Sequence, residues 1–419
     1  MKKSQKTQKR TKWLFIILIL TAVLSITATY AWFSTQRDVD ITGMRLNVEV
    51  AESMQISLDG EIWTQSIQIA DMRQFYGTYT GTGDSFAIYQ AKKPDNGGNQ
   101  NYVPTELKPV STVGTVTGGK LQFVKGTIGT TAAGKTELTA VTACSEADLT
   151  DTATIANRQN GNESHPYLVF DMYLRNVSAK ADGQLDILEL NAGSNVWVNT
   201  GTSDDTEQEG AGKADTGLEY SARVGMIVYG NTVSITETDD PSGTEGAKTI
   251  GQKIRGLTSA EGDKAAIWEP NDKNHTTYVV NNNGRGIDSI EEAVVTYGVK
   301  ETVATSENKT VPDINDTTDE TNLAAVTTMK PAYTLGAGTD SKVNITDTAG
   351  TEVGLKPNTI SKVRVYVWLE GQDPDCVDLA STGDKLNVTL KLTKEPTSSG
   401  DKNTYDDTPV QEPEDPEEP

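Results

Sequence analysis

Cysteine and histidine are almost missing from this 419-residue chain, with two of each. Two histidines outside a helical H-E-x-x-H run do not make the usual zinc-protease grip. His165 and His275 stand in the loop-like runs Glu163-Ser164-His165-Pro166 and Asn274-His275-Thr276, so no catalytic zinc is expected. Cys144 and Cys376 lie far apart and have no histidine beside them. In an oxidising compartment they either pair, closing a long loop, or stay apart; spacing does not decide between these. No G-x-S-x-G elbow and no G-x-G-x-x-G after a strand occur, which leaves serine hydrolysis and dinucleotide binding without a motif. Aromatic residues make up only 6% and hydrophobic ones 35%, against 37 glycines and 15 prolines: enough for a core, with much polar loop around it. Basic residues are outnumbered by acidic ones, 37 to 59, for a net charge of −22. That surface repels nucleic acid and anionic lipid headgroups.

Long apolar runs are equally scarce, except for one. Residues Trp13 to Phe33 contain no charge, follow six basic residues and no acidic one, and match in length the roughly 20 residues that span a bilayer. Residues 1–33 are therefore expected to be a basic tail plus a signal peptide or membrane anchor, with everything beyond them extracytoplasmic. Thr29-Tyr30-Ala31 offers small residues where a signal peptidase reads, so cleavage is expected at Ala31; a retained single-pass anchor is the alternative.

Beyond the apolar run, period-two alternation dominates. Leu46, Val48 and Val50, then Met54, Ile56 and Leu58, mark two half-buried strands with a break at Ala51 to Ser53. Further strands are expected over Tyr167 to Val177, Leu185 to Leu190, Glu219 to Tyr229, Lys362 to Leu369 and Leu386 to Leu392, with weaker ones near Leu121 to Val124 and Leu138 to Ala143. In Lys362 to Leu369 the valines take one face, and Arg364, Tyr366 and Trp368 the other. Between about 231 and 355 Thr, Asn, Asp and Gly take over, and helical patterns are limited to Lys253 to Leu257 and Ile287 to Val295. This reads as an insertion between core strands, or as a second small domain. From Glu395 to Pro419 the chain is too acidic and proline-rich to bury a core, and a disordered tail is expected. No LPxTG-like sorting motif accompanies it.

The segment Ala28-Thr29-Tyr30-Ala31-Trp32-Phe33-Ser34 resembles the end of a SipW-type signal peptide, as found in Gram-positive surface proteins that include camelysin and the TasA-type subunits of biofilm fibres. The run Trp368 to Cys376 is similar to the C-terminal end of clostridial-type relatives. With specificity, the resemblance covers about residues 13–60 and 362–393. It implies an all-β, jelly-roll-like sandwich over 34–394, secretion, and assembly with self or related subunits by strand addition. Leu46, Val48 and Val50 would then fill a groove in the next copy; pairing within the chain's own sheet is the plainer alternative. Camelysin-like proteins are described as metalloproteases, an activity that the two histidines here do not support.

Calcium is the one cofactor worth weighing. Asp313 and Asn315, in Pro312-Asp313-Ile314-Asn315-Asp316, give the densest side-chain oxygens, though the glycine and distal glutamate of an EF-hand are missing. Asp373 and Asp375 are a second candidate, and a solvated loop is the plainer reading of both. Trp63, Trp197, Trp268 and Trp368 fit core packing better than a sugar-stacking face. The expectation is a non-enzymatic cell-surface or matrix structural protein; the alternative is a membrane-anchored adhesin that recognises glycan or a host protein.

Overall fold

The computed structural model describes residues 39–40, 43–50, 54–58, 60–69, 106–107, 109–130, 136–144, 167–181, 183–191, 193–199, 218–239, 249–271, 274–281, 289, 297–299, 323–325, 342–371, 373, 375–376 and 385–394. These residues are mostly β-strand, and the chain is an all-β protein. The apolar run, the cleavage position Ala31, Asp313, Asn315 and the acidic tail lie outside them. Among the described residues no helix is long and apolar enough to cross a membrane.

Two large sheets carry the fold. Their strands in chain order are β1 (Gly43–Val50), β2 (Met54–Ser57), β3 (Ser66–Ile69), β4 (Tyr167–Asn176), β5 (Asp186–Asn191), β6 (Asn195–Asn199), β7 (Ala222–Ser234), β8 (Ala265–Trp268), β9 (Lys342–Asn344), β10 (Gly354–Leu355), β11 (Thr359–Leu369) and β12 (Lys385–Lys394). The first sheet runs β8-β7-β11-β4-β2. The second runs β9-β5-β12-β1-β3, with β6 also on β12 and β10 on β5. Buried residues of both sheets form one core that includes Leu168, Phe170, Val363 and Val365 from the first and Val48, Leu188, Val388 and Leu390 from the second.

The centre of the first sheet is buried on both faces, which its alternating sequence does not advertise. Register pairs Leu168 with Val367, Phe170 with Val365 and Met172 with Val363 on the face shared with the valines. On the opposite face Tyr167 meets Trp368, Val169 meets Tyr366 and Asp171 meets Arg364. That face is roofed by the segment 109–124. The Phe123 ring stacks on Tyr167 at 4.4 Å and meets Trp368 edge-on at 5.1 Å, and the Leu121 N–H donates to the Tyr366 hydroxyl at 3.1 Å. Gly225 sits beneath this roof, where a Cβ would come within 3.1 Å of the Trp368 ring and 3.2 Å of Leu121. Trp368 and Trp268 are thus core residues, whereas Trp63 and Trp197 are half-buried.

In the second sheet β12 is the spine. Leu386, Val388, Leu390 and Leu392 are all buried, as four apolar residues at period two require. One edge of β12 is covered by β6 and then β5 in succession. Where those two strands break, the Lys391 N–H donates to Ser194 Oγ at 2.9 Å, a side chain standing in for a missing backbone acceptor.

The described parts of the segment 231–355 add strands to both sheets. β7 runs on to Ser234 through a bulge between Val228 and Thr232, β8 extends the first sheet, and β9 and β10 extend the second. One helix of the segment, α2 (Ile250–Arg255), follows the short α1 (Leu218–Ser221). Thr249 and Gln252 close a capping box on α2, and Ile254 joins Tyr173 and Ile360 in a small second core. A further short helix, α3 (Thr277–Asn281), comes where no helical pattern was expected.

Candidate functional site

The first candidate is the slot that β1 fills. Every other strand pairing in the two large sheets is antiparallel, but β1 runs parallel to β12, from Gly43 opposite Lys385 to Val50 opposite Leu392. Its other edge pairs with β3, Leu46 opposite Ile69 and Glu49 opposite Ser66. Val48 and Val50 are buried in the common core, and Glu49, between them, reaches outward to the Lys391 ammonium at 3.1 Å. The side chain of Leu46 lies outside the described ones. Within one chain, then, this segment completes its own sheet.

The second candidate is the polar end of the first sheet. Asp373 Oδ2 pairs with the Arg223 guanidinium, and its Oδ1 accepts the Asp375 N–H at 2.9 Å. Asp375 Oδ2 meets His275 Nδ1 at 2.5 Å, and its Oδ1 accepts the Thr276 N–H at 2.7 Å. Arg223 also grips Glu269 and donates to the Tyr220 and Ala222 carbonyls, both at 3.0 Å. Burial alone would lower the Arg223 pKa, but Glu269, Asp373 and Glu370 outweigh it and raise it above the usual arginine value. Burial pushes the Asp375 carboxyl up to about 6; the bond to His275 works against the rise and the charge of Asp373 adds to it.

These carboxylates are committed to protein partners around a guanidinium. A calcium ion seated there would face a fixed positive charge, so the donor set does not suit the cation weighed above for Asp373 and Asp375. Among the described residues no group of three or more His, Cys, Asp or Glu gathers as a metal site. The arrangement works instead as an ionic lock. It ties the start of β7, the turn after β8, the residues before α3 and the turn after β11 to one another. Cys376 is buried at this end; Cys144 closes a hairpin strand, Thr136–Cys144, and its side chain, with the pairing left open above, lies outside the described ones.

One signal escaped the sequence reading. Gly129 to Thr136, GTTAAGKT, matches the G-x-x-x-x-G-K-[ST] phosphate loop. That motif requires a helix to start at its Lys-Thr. Here Thr136 begins a strand paired antiparallel with Phe123–Thr130, Thr130 opposite Thr136, so no helix starts at Thr136.

Fold and slot together define an all-β protein of two sheets sharing one core, closed by its first and last core strands lying side by side. No family model, no curated protein and no solved structure matches the chain.

Proposed function

We propose that the protein is a non-enzymatic, extracytoplasmic structural protein of the cell surface or biofilm matrix, a fibre subunit that assembles by β-strand addition. The observation that carries this reading is the parallel alignment of β1 with β12. A hairpin partner is antiparallel and covalently tied to its neighbour. A parallel strand arrives from elsewhere in the chain, and the slot between β12 and β3 accepts main-chain hydrogen bonds from any copy of the same strand. In the assembled form Leu46, Val48 and Val50 of one subunit occupy the slot of the next, and the two sheets wind as a jelly roll. The acidic surface suits a secreted polymer, and the Ala28 to Ser34 motif supports export.

Glu49 and Lys391 are register partners on the outer side of this pair and test the reading directly. The double variant Glu49→Cys with Lys391→Cys, oxidised at rising protein concentration, is expected to give a ladder of chains joined by disulfides, with filaments in the electron microscope. If only intrachain bonds form and no filaments grow at any concentration, strand addition is overturned and the anchored adhesin takes its place.

A further inference from the structure

Three buried polar side chains converge where the two sheets meet beyond the end of β4. Asn176 is the last residue of β4, Asp186 the first of β5 and Lys394 the last of β12, with relative exposures of 0%, 0% and 1%. The Lys394 ammonium donates to Asn176 Oδ1 at 2.9 Å and to the Val177 carbonyl. Asn176 Nδ2 donates to Asp186 Oδ2 at 2.8 Å and to the Lys356 carbonyl at 2.9 Å. With a donor against Oδ1 and two oxygens against Nδ2, only one orientation of the carboxamide satisfies its neighbours. The second oxygen of Asp186 accepts no hydrogen bond, and Lys180 Nζ stands 3.5 Å from it.

An amine therefore rests against the carbonyl of a carboxamide, one carbon–oxygen bond from the acyl carbon, while a carboxylate holds the nitrogen that would leave. We propose that Lys394 and Asn176 join in an intramolecular isopeptide bond, with Asp186 carrying the proton. Lys394, which contacts the carboxamide and not Asp186 in this structure, moves onto Asn176 Cγ; its proton is taken up by Asp186 and its nitrogen lone pair attacks. The Nζ–Cγ bond forms and a tetrahedral centre results. Asp186 returns the proton to Nδ2 and the Cγ–Nδ2 bond breaks. Ammonia departs with the remaining proton as ammonium, and Asp186 is regenerated. An ammonium and a carboxamide become a secondary amide and an ammonium ion, with no oxidant, reductant or other reactant consumed. Burial favours the step twice: it keeps out water that would compete for the acyl carbon, and it holds the amine against the carboxamide oxygen and the carboxylate against the carboxamide nitrogen.

The bond would run between sheets, fastening the closing strand to β4 across 218 residues of sequence. It is independent of strand addition, since it lies within one subunit and needs no second copy.

The test is the mass of the folded, full-length protein after denaturation, followed by peptide mapping. The expected result is a chain lighter by one ammonia and a branched peptide in which the residues around Asn176 and Lys394 are joined. Lys394→Arg and Asn176→Ala should each abolish the branch and remove the deficit. Asp186→Asn should keep the amine and the carboxamide but yield unlinked chains. A wild-type chain at full mass whose Lys394 amine is modified by an acylating reagent after denaturation overturns the proposal, whatever the variants do. A branched peptide in Asp186→Asn overturns the role given to Asp186.

Discussion

Among the described residues two lysines are buried, under different chemistry. Lys362, on β11, faces a carboxylate: its Nζ lies 2.9 Å from Asp171 Oδ2, while Arg364 clamps the same group through Nε at 2.7 Å and Nη2 at 3.0 Å. The Tyr229 ring lies near both cations, 5.5 Å from Lys362 Nζ and 6.0 Å from the Arg364 guanidinium carbon. Burial alone would raise the Asp171 carboxyl, but Arg364 and then Lys362 outweigh it and hold it at about 2. An ionised carboxylate between two cations is a poor acyl group, because its oxygen has no proton with which to leave. Lys394 faces an amide whose leaving nitrogen is held by Asp186. Burying a lysine therefore does not choose between ion pair and covalent link; the acyl partner and the place for the proton do.

The contrast can be broken or sharpened by substitution. The largest effect is expected from Lys394→Arg: releasing a cross-link between residues 218 apart costs about 5 kcal/mol in the chain-entropy model. Denaturant melts measure it, and a loss no larger than that of an ordinary buried hydrogen bond would count against the link. Next comes Asp171→Ala, which strands Lys362 and Arg364 as buried cations and is expected to cost about 4 kcal/mol by the same measurement. A smaller effect is tied to pH. The folded pKa of Asp171 lies below its ordinary value of 3.8, so its stabilisation is complete above that value and is lost as pH falls towards about 2. The stability gap between wild type and Asp171→Asn should close by about 2 kcal/mol across that window; a gap constant with pH would contradict the ion-pair description. Smallest of all is Lys253→Ala. It breaks the 2.7 Å pair with Glu237 on the surface and should change stability by no more than about 0.5 kcal/mol, which sets the scale for the buried pairs.

What could be read from the sequence is what depends on near neighbours. Period-two spacing places Met54 and Ile56, and Leu386 through Leu392, in strands, because alternation is a local property of the pleat. At β11 the same rule separates the two faces but does not say what covers them: over Tyr366 and Trp368 it is Phe123 and Leu121, from a segment more than 200 residues earlier. Glu219 to Tyr229 reads as one strand, but its first residues belong to α1. Asp373 and Asp375 have the spacing of metal ligands; the partners that claim them, Arg223 and His275, are 150 and 100 residues away. Lys394 carried no signal at all, because only the meeting of the two sheets brings Asn176 and Asp186 to it. Strands β8, β9 and β10 gave no signal for a similar reason: they are short, and their strand character comes from the edges they join.

The alignment of β1 with β12 has a mechanical meaning. Because they are parallel, the chain enters β1 at the Lys385 end of the pair and leaves β12 at the Lys394 end. Tension applied through the outer ends of these two strands runs along their length. Their eight register pairs bear the load together in shear, where an antiparallel hairpin held by its two ends would open rung by rung like a zip.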